Sequence, residues 1–200
     1  MTQQSLPRPE DRRRVISLLV DNHSGVLARV SSLFNRRGFN IDSLTVSATN
    51  DPAVSRITVS THGNDRDIDQ LILQTERLEV SRQVFELDLE NSLQRELLLL
   101  KVACGSRQRA ELKEIASIYK AKIIDLSPDS MVLELTGKPE KIDAFLKMFS
   151  EYEILELCRT GVTALERGGK HEHIQKPPQE IRDYQFPMPG RGLAGGASSQ

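Results

Sequence analysis

The chain has 200 residues, with 27 Lys and Arg against 28 Asp and Glu, giving a net charge of -1. That balance argues against a phosphate-backbone binder, which carries a clear basic excess. The length suits one large domain or two of about 80 residues each. Its two cysteines, Cys104 and Cys158, fit no Cys-x-x-Cys or metal-ligand spacing. Both sit in apolar stretches and read as buried free thiols of a reducing cytoplasm, although the residues leave a disulfide between them open.

Residues 1–12 hold two prolines and few apolar side chains, and read as a flexible arm. They lack the apolar core of a signal peptide, and the run that follows is too short to cross a membrane, so a cytoplasmic protein is expected, or an organellar one if the head, against its Glu10 and Asp11, is a short transit segment. Arg12-Arg13-Arg14, beside Glu10-Asp11, reads as a solvated strand entrance. Residues 14–20 form an apolar strand ending in the turn Asp21-Asn22-His23-Ser24-Gly25. Val26, Val30, Leu33 and Phe34 then recur at helical spacing within 25–37. Gly38-Phe39-Asn40 closes that helix and leads to a strand over 41–48. After a turn at Thr49-Asn50-Asp51-Pro52 a third strand spans 54–61, with His62 read as a loop residue. A helix over 65–78, capped by Asp65, turns Ile68, Leu71, Ile72 and Leu78 inward, and a strand over 80–89 follows.

The order βαββαβ then recurs: strand 97–104, helix 107–119, strands 122–126 and 131–136, a helix opened by Pro139, and a strand over 154–157 extended by 162–165. The expected fold class is α+β, with two consecutive ferredoxin-like βαββαβ units over 13–90 and 91–168. Residues 169–200, rich in proline and glycine, read as a disordered tail. Its His171-Glu172-His173 run has no further metal ligand nearby.

Chemistry concentrates at the first turn. A strand, a glycine-containing turn and a helix start present free N–H groups and the positive end of the helix macrodipole to a small anion. Gly25 has no Cβ, so a ligand can come close to the main chain. Asn22 and Asn40 flank the helix and can accept from an ammonium, while Val26, Leu27 and Ile41 can wall an apolar side chain. Together they describe a receptor for a free amino acid. Burying a branched aliphatic side chain contributes roughly 1.5–3 kcal/mol, enough to select against a smaller one. The plainer reading is a turn glycine, a helix cap and core residues. No nucleophile elbow, phosphate loop or metal cluster is present, so no catalytic set emerges. RNA-recognition domains share the βαββαβ order but stack bases on sheet aromatics, and strands one and three have none.

The stretch DNHSGVLARVSSLFNRRGFNIDSLTV resembles the amino-terminal ACT domain of the small, regulatory subunits of acetohydroxyacid (acetolactate) synthase. The resemblance continues through DPAVSRITV, ELLLLKV, KIIDLSPDSMVLELTG, KIDAFL and RTGVTALERG, and covers residues 12–168. It implies a non-catalytic chain that forms a homodimer and binds the large catalytic subunit. Such a chain raises the activity of that subunit and confers feedback inhibition by valine in branched-chain amino-acid (valine and isoleucine) synthesis. Thiamine diphosphate, Mg and FAD belong to the large subunit, with no cofactor in this chain. The implied effector contacts, between two ACT domains, are Asn22, Gly25, Val26, Leu27, Asn40 and Ile41, with a weaker role for His23. The other open reading is a free-standing ACT-type amino-acid sensor for a different partner; such a sensor need not keep the KIIDLSPDSMVLEL and RTGVTALERG stretches. Neither reading involves nucleic acid or a membrane.

Overall fold

The computed structural model describes residues 12–168. The expected arm and tail, with His171 and His173, lie outside the described residues. The first half runs β1 (Arg12–Asp21), α1 (Val26–Arg36), β2 (Ile41–Ala48), β3 (Val54–Gly63), α2 (Asp65–Glu76) and β4 (Ser81–Glu86). The second runs β5 (Ser92–Ala103), α3 (Arg109–Tyr119), β6 (Lys122–Leu126), β7 (Ser130–Gly137), α4 (Pro139–Lys147), β8 (Ile154–Arg159) and β9 (Thr163–Glu166). The strands form one antiparallel sheet in the order β2-β3-β1-β4 and a second in the order β6-β7-β5-β8, with β9 paired to β5. The fold is α+β with the βαββαβ order in both halves, as the apolar periodicities predict.

Alternation explains the first core. Ile16, Leu18 and Val20 of β1 and Ile57 and Val59 of β3 point to one face and meet Val26, Val30 and Phe34 of α1 and Ile68 and Leu71 of α2. The second core repeats the scheme with Leu98, Leu100 and Val102 against Leu112, Ile142, Phe145 and Phe149. Pro139 opens α4 at its first turn, where a missing N–H costs no hydrogen bond.

The rear face of the first sheet is lined differently. Val15, Phe85 and Leu87 bury there against Val162, just before β9, and Ala164 within it. Around them lie the buried hydroxyls of Ser17, Thr58 and Ser60. Arg56 donates from Nη1 to Ser17 Oγ at 3.0 Å. Burial lowers the pKa of its guanidinium, with Glu166 opposing the shift.

Several expectations are corrected. Asn64, not Asp65, caps α2: its Oδ1 accepts from the Asp67 N–H at 2.9 Å while its Nδ2 donates to Asp67 Oδ2. An aspartate could only accept, and Asp65 is instead paired with Arg14. His62 lies within β3 and pairs with Asp42 at 2.7 Å, so it is not a loop residue. Arg13 and Arg14 are half-buried and ion-paired to Glu140 and Glu86, so only Arg12 of that triplet is exposed. Both cysteines are free, but Cys158 is exposed because β8 is an edge strand. Strand β5 begins at Ser92, earlier than its apolar run, because Ser92, Gln94 and Glu96 are its inward-facing residues there.

Candidate functional site

Helix α1 begins behind Gly25, which has φ 85° and ψ -12°, the left-handed conformation that glycine adopts without a Cβ penalty. No side chain caps this helix end and no acidic residue lies in its first turn. The first intrahelical bond runs from the Arg29 N–H to the Gly25 carbonyl at 3.2 Å. The preceding N–H groups therefore have no partner inside the helix. An added Cβ at Gly25 would meet nothing within 4 Å, so the space above the turn is open. The arrangement can hold a carboxylate, an interaction worth about 0.3–1 kcal/mol at an exposed helix end.

Asn22 is exposed and already engaged. Its Nδ2 donates to the Pro52 carbonyl at 2.8 Å and its Oδ1 accepts from Ser55 Oγ at 2.9 Å. Its main-chain N–H donates to the Ala53 carbonyl at 2.9 Å. Asn22 thus braces the turn against the β2–β3 hairpin and retains one lone pair on Oδ1 for a ligand. His23 is exposed and folds its ring Nδ1 back to the Ser24 carbonyl at 2.9 Å. Val26 is 4% exposed and belongs to the core, whereas Leu27 is 42% exposed.

Asn40 and Ile41 sit at the opposite end of the same sheet. Asp21, next to Asn22, pairs with Val54, while Ile41, next to Asn40, pairs with Thr61. From Val54 to Thr61 the chain makes seven strand steps, about 23 Å. Asn40 donates from Nδ2 to Asp42 Oδ1 at 3.3 Å and accepts at its main-chain oxygen from Thr61 Oγ1 at 2.6 Å. Ile41 is partly buried against the first core. A register shift between Ile41 and Ser43 sets Asp42 out of the ladder and lets it meet His62. Within one chain, therefore, the Gly25 turn and Asn40 do not share a pocket.

Two residues near these positions gave no sequence signal. Arg82 of β4 pairs with Asp21 at 2.7 Å and reaches Asp51 at 3.8 Å, compensating the carboxylates beside the Gly25 turn. His62 lines two clefts at the Asn40 end. One, of about 560 Å³, lies against Arg37, Phe39 and Arg66; the other, of about 570 Å³, lies against Arg13, Glu96 and Arg159. Among the described residues no cluster of His, Cys, Asp and Glu could hold a metal ion, and no helix is long and apolar enough to cross a membrane.

Comparison with known proteins fits this architecture half by half. Residues 16–82 match the family described as the AHAS small subunit-like ACT domain, and residues 95–168 match the family described as the small subunit of acetolactate synthase. The chain is 43% identical over 158 residues to a probable acetolactate synthase small subunit of Archaeoglobus fulgidus, covering 79% of this chain and 99% of that one. It is 39% identical over 159 residues to the acetolactate synthase isozyme 3 small subunit of Escherichia coli, covering 79% of this chain and 98% of that one. The crystal structure of the acetolactate synthase small subunit from Thermotoga maritima superposes with a TM-score of 0.74 at 35% identity, covering 80% of this chain and 99% of that one. The chain therefore belongs to the family of acetolactate synthase small subunits, the regulatory rather than the catalytic chains, with an ACT domain as its first half.

Proposed function

We propose that this chain is a valine-responsive regulatory subunit acting in the cytoplasm: it binds the large acetolactate synthase subunit, raises its activity, and withdraws that support when valine is bound. The observation that supports the reading is the placement of the Gly25 turn and Asn40 at opposite ends of one sheet in which β2 is an edge strand among the described residues. Among the described residues, in the order β2-β3-β1-β4, β2 has no strand on its outer side, and Val46 on it is 47% exposed. Antiparallel pairing of β2 with β2 of a second copy sets the Asn40 end of one against the Ala48 end of the other. Ala48 pairs with Ser55, the residue that holds Asn22. A two-fold homodimer thus brings Asn40 and Ile41 of one copy to the Asn22–Leu27 turn of its mate.

At that seam the N–H groups behind Gly25 hold the valine carboxylate. The side-chain oxygens of Asn22 and of Asn40 from the second copy accept from the ammonium, and Leu27 and Ile41 flank the isopropyl group. Val26 supports Leu27 from the core, and His23 borders the turn. Residues 13–90 form the effector domain and 91–168 the unit that meets the large subunit. The condensation of pyruvate with pyruvate or 2-oxobutyrate, with its thiamine diphosphate, Mg and FAD, belongs to that subunit. Coupling is reciprocal: large-subunit binding changes valine affinity by the same factor as valine changes large-subunit binding, typically 5- to 150-fold.

Reconstitution tests this. Acetolactate formation by the purified large subunit is measured with and without this chain across a valine titration. Stimulation that valine reverses is expected; no change in activity on adding the folded chain would overturn the reading.

A further inference from the structure

The segment joining β8 to β9 is tied to both sheets within four residues. Arg159 is bound into the second half, donating from Nη1 to Asp143 Oδ1 at 2.7 Å and pairing with Glu96. Thr160 follows, with its N–H donating to the Leu97 carbonyl at 3.1 Å and its Oγ1 accepting from the Leu97 N–H at 3.1 Å. Two residues later the attachment changes sides. The Val162 carbonyl accepts from Thr45 Oγ1 at 2.9 Å, and the Val162 N–H donates to Ser43 Oγ at 3.3 Å. Both polar groups of one residue are thus held by alternate side chains of β2. Val162 itself is fully buried with Val15, Phe85 and Leu87.

Between these attachments stands Gly161, at φ 80°, where an added Cβ would lie 2.9 Å from Ser43 Cβ. Gly161 therefore packs closely on β2, leaving no room for a side chain between them. Packed contacts of this kind shift between discrete arrangements rather than deforming smoothly.

We propose that Ser43, Thr45 and the Gly161–Val162 joint form the mechanical link by which effector occupancy at the edge of β2 reaches the second half of the chain. This rests on the effector reading above. Ser43 and Thr45 point to the rear face of the strand whose outer edge and Asn40 end contribute to the effector seam. A change in the set of β2 moves the joint, and the joint moves Arg159 with its partners Glu96 on β5 and Asp143 on α4. Ser43 and Thr45 are positioning residues and touch no ligand.

The test uses the full chain and separates binding from response. Valine affinity is measured by calorimetry on the isolated protein, and valine inhibition on the reconstituted synthase, for wild type, Thr45→Val, Ser43→Ala/Thr45→Val and Thr45→Ser. The expected result is affinity within about twofold of wild type in all, with the inhibition factor reduced about fivefold or more in the variants lacking the Thr45 donor. Thr45→Ser, which keeps the hydroxyl, restores the response. Full inhibition in the double variant overturns the joint and leaves the effector reading standing. A parallel loss of affinity and inhibition also overturns it, because Ser43 and Thr45 would then belong to the site. A wild-type protein that neither binds valine nor responds to it overturns both.

Discussion

Substituting Ala28 by Glu should move stability and valine binding in opposite directions. Ala28 is exposed in the first turn of α1, three residues beyond Gly25, where no acidic side chain now lies. A carboxylate there faces the positive helix end and should add about 0.3–1 kcal/mol, offset by a few tenths for the helix propensity lost on replacing alanine. The unfolding free energy should therefore hold or rise. For a bound carboxylate over the same N–H groups, a second negative charge about 5 Å away costs about 1 kcal/mol at the dielectric of water and about 3 kcal/mol at an effective constant of 20. Affinity for valine should fall about 5- to 150-fold on that basis. Ala28→Gln carries the same bulk without the charge and should bind as wild type, and the Glu penalty should shrink with added salt. Calorimetric titration read beside urea denaturation gives both quantities. Unchanged affinity in Ala28→Glu would refute the assignment of the carboxylate to this helix end, as would an equal loss in Ala28→Gln.

Other perturbations probe the frame around the site. Arg159→Met strips the partner from Glu96, whose side chain is only 4% exposed, and should cost about 2–4 kcal/mol in urea denaturation; a cost under about 1 kcal/mol would contradict a structural role for the pair. Gly25 and Gly161 share a left-handed backbone but not their surroundings. Gly25→Ala should cost about 1–2 kcal/mol from backbone strain alone, and Gly161→Ala a further 1–3 kcal/mol or so from the clash with Ser43; equal losses would show that the halves are not in close approach there. The Asp88 carboxyl is held below its ordinary pKa by the Glu90 N–H and the Asn91 side chain. Its contribution to stability is present above the unfolded aspartate range and is lost as pH falls through the depressed folded value. An NMR titration should find Asp88 below aspartates that accept no such hydrogen bonds, and Asn91→Ala should raise it part of the way, the Glu90 N–H remaining.

The parts of the fold legible in the sequence are those whose buried face follows a single period. Ile16, Leu18 and Val20 alternate, and Val26, Val30, Leu33 and Phe34 fall on one helical stripe, so β1 and α1 stand within a residue or two of where spacing puts them. The start of β5 breaks that rule, because its buried residues there, Ser92, Gln94 and Glu96, are polar. Cys158 shows the converse: Leu155 and Leu157 beside it look like core, yet on an edge strand they are half-exposed. At the site, Gly25 was legible because its conformation is a property of one residue. The bracing of Asn22 was not, since Pro52 and Ser55 lie some thirty positions along the chain. The separation of Asn22 from Asn40 follows from α1 itself, which carries the chain back along the sheet before β2 begins. The register of β1 and β2 on β3 then fixes the two asparagines at opposite ends of the sheet.

The central claim is that the effector site is shared between two copies, and complementation tests it most directly. Ala28→Glu disables the turn and Asn40→Ala disables the other half, so each homodimer alone should bind valine poorly. Unfolding and refolding an equal mixture gives mixed dimers in which one seam carries both lesions and the other carries neither. A shared site predicts recovery of about a quarter of the wild-type valine capacity at wild-type affinity, from one intact seam in half the dimers. A site contained within one chain predicts no recovery at all, and that result would contradict the account.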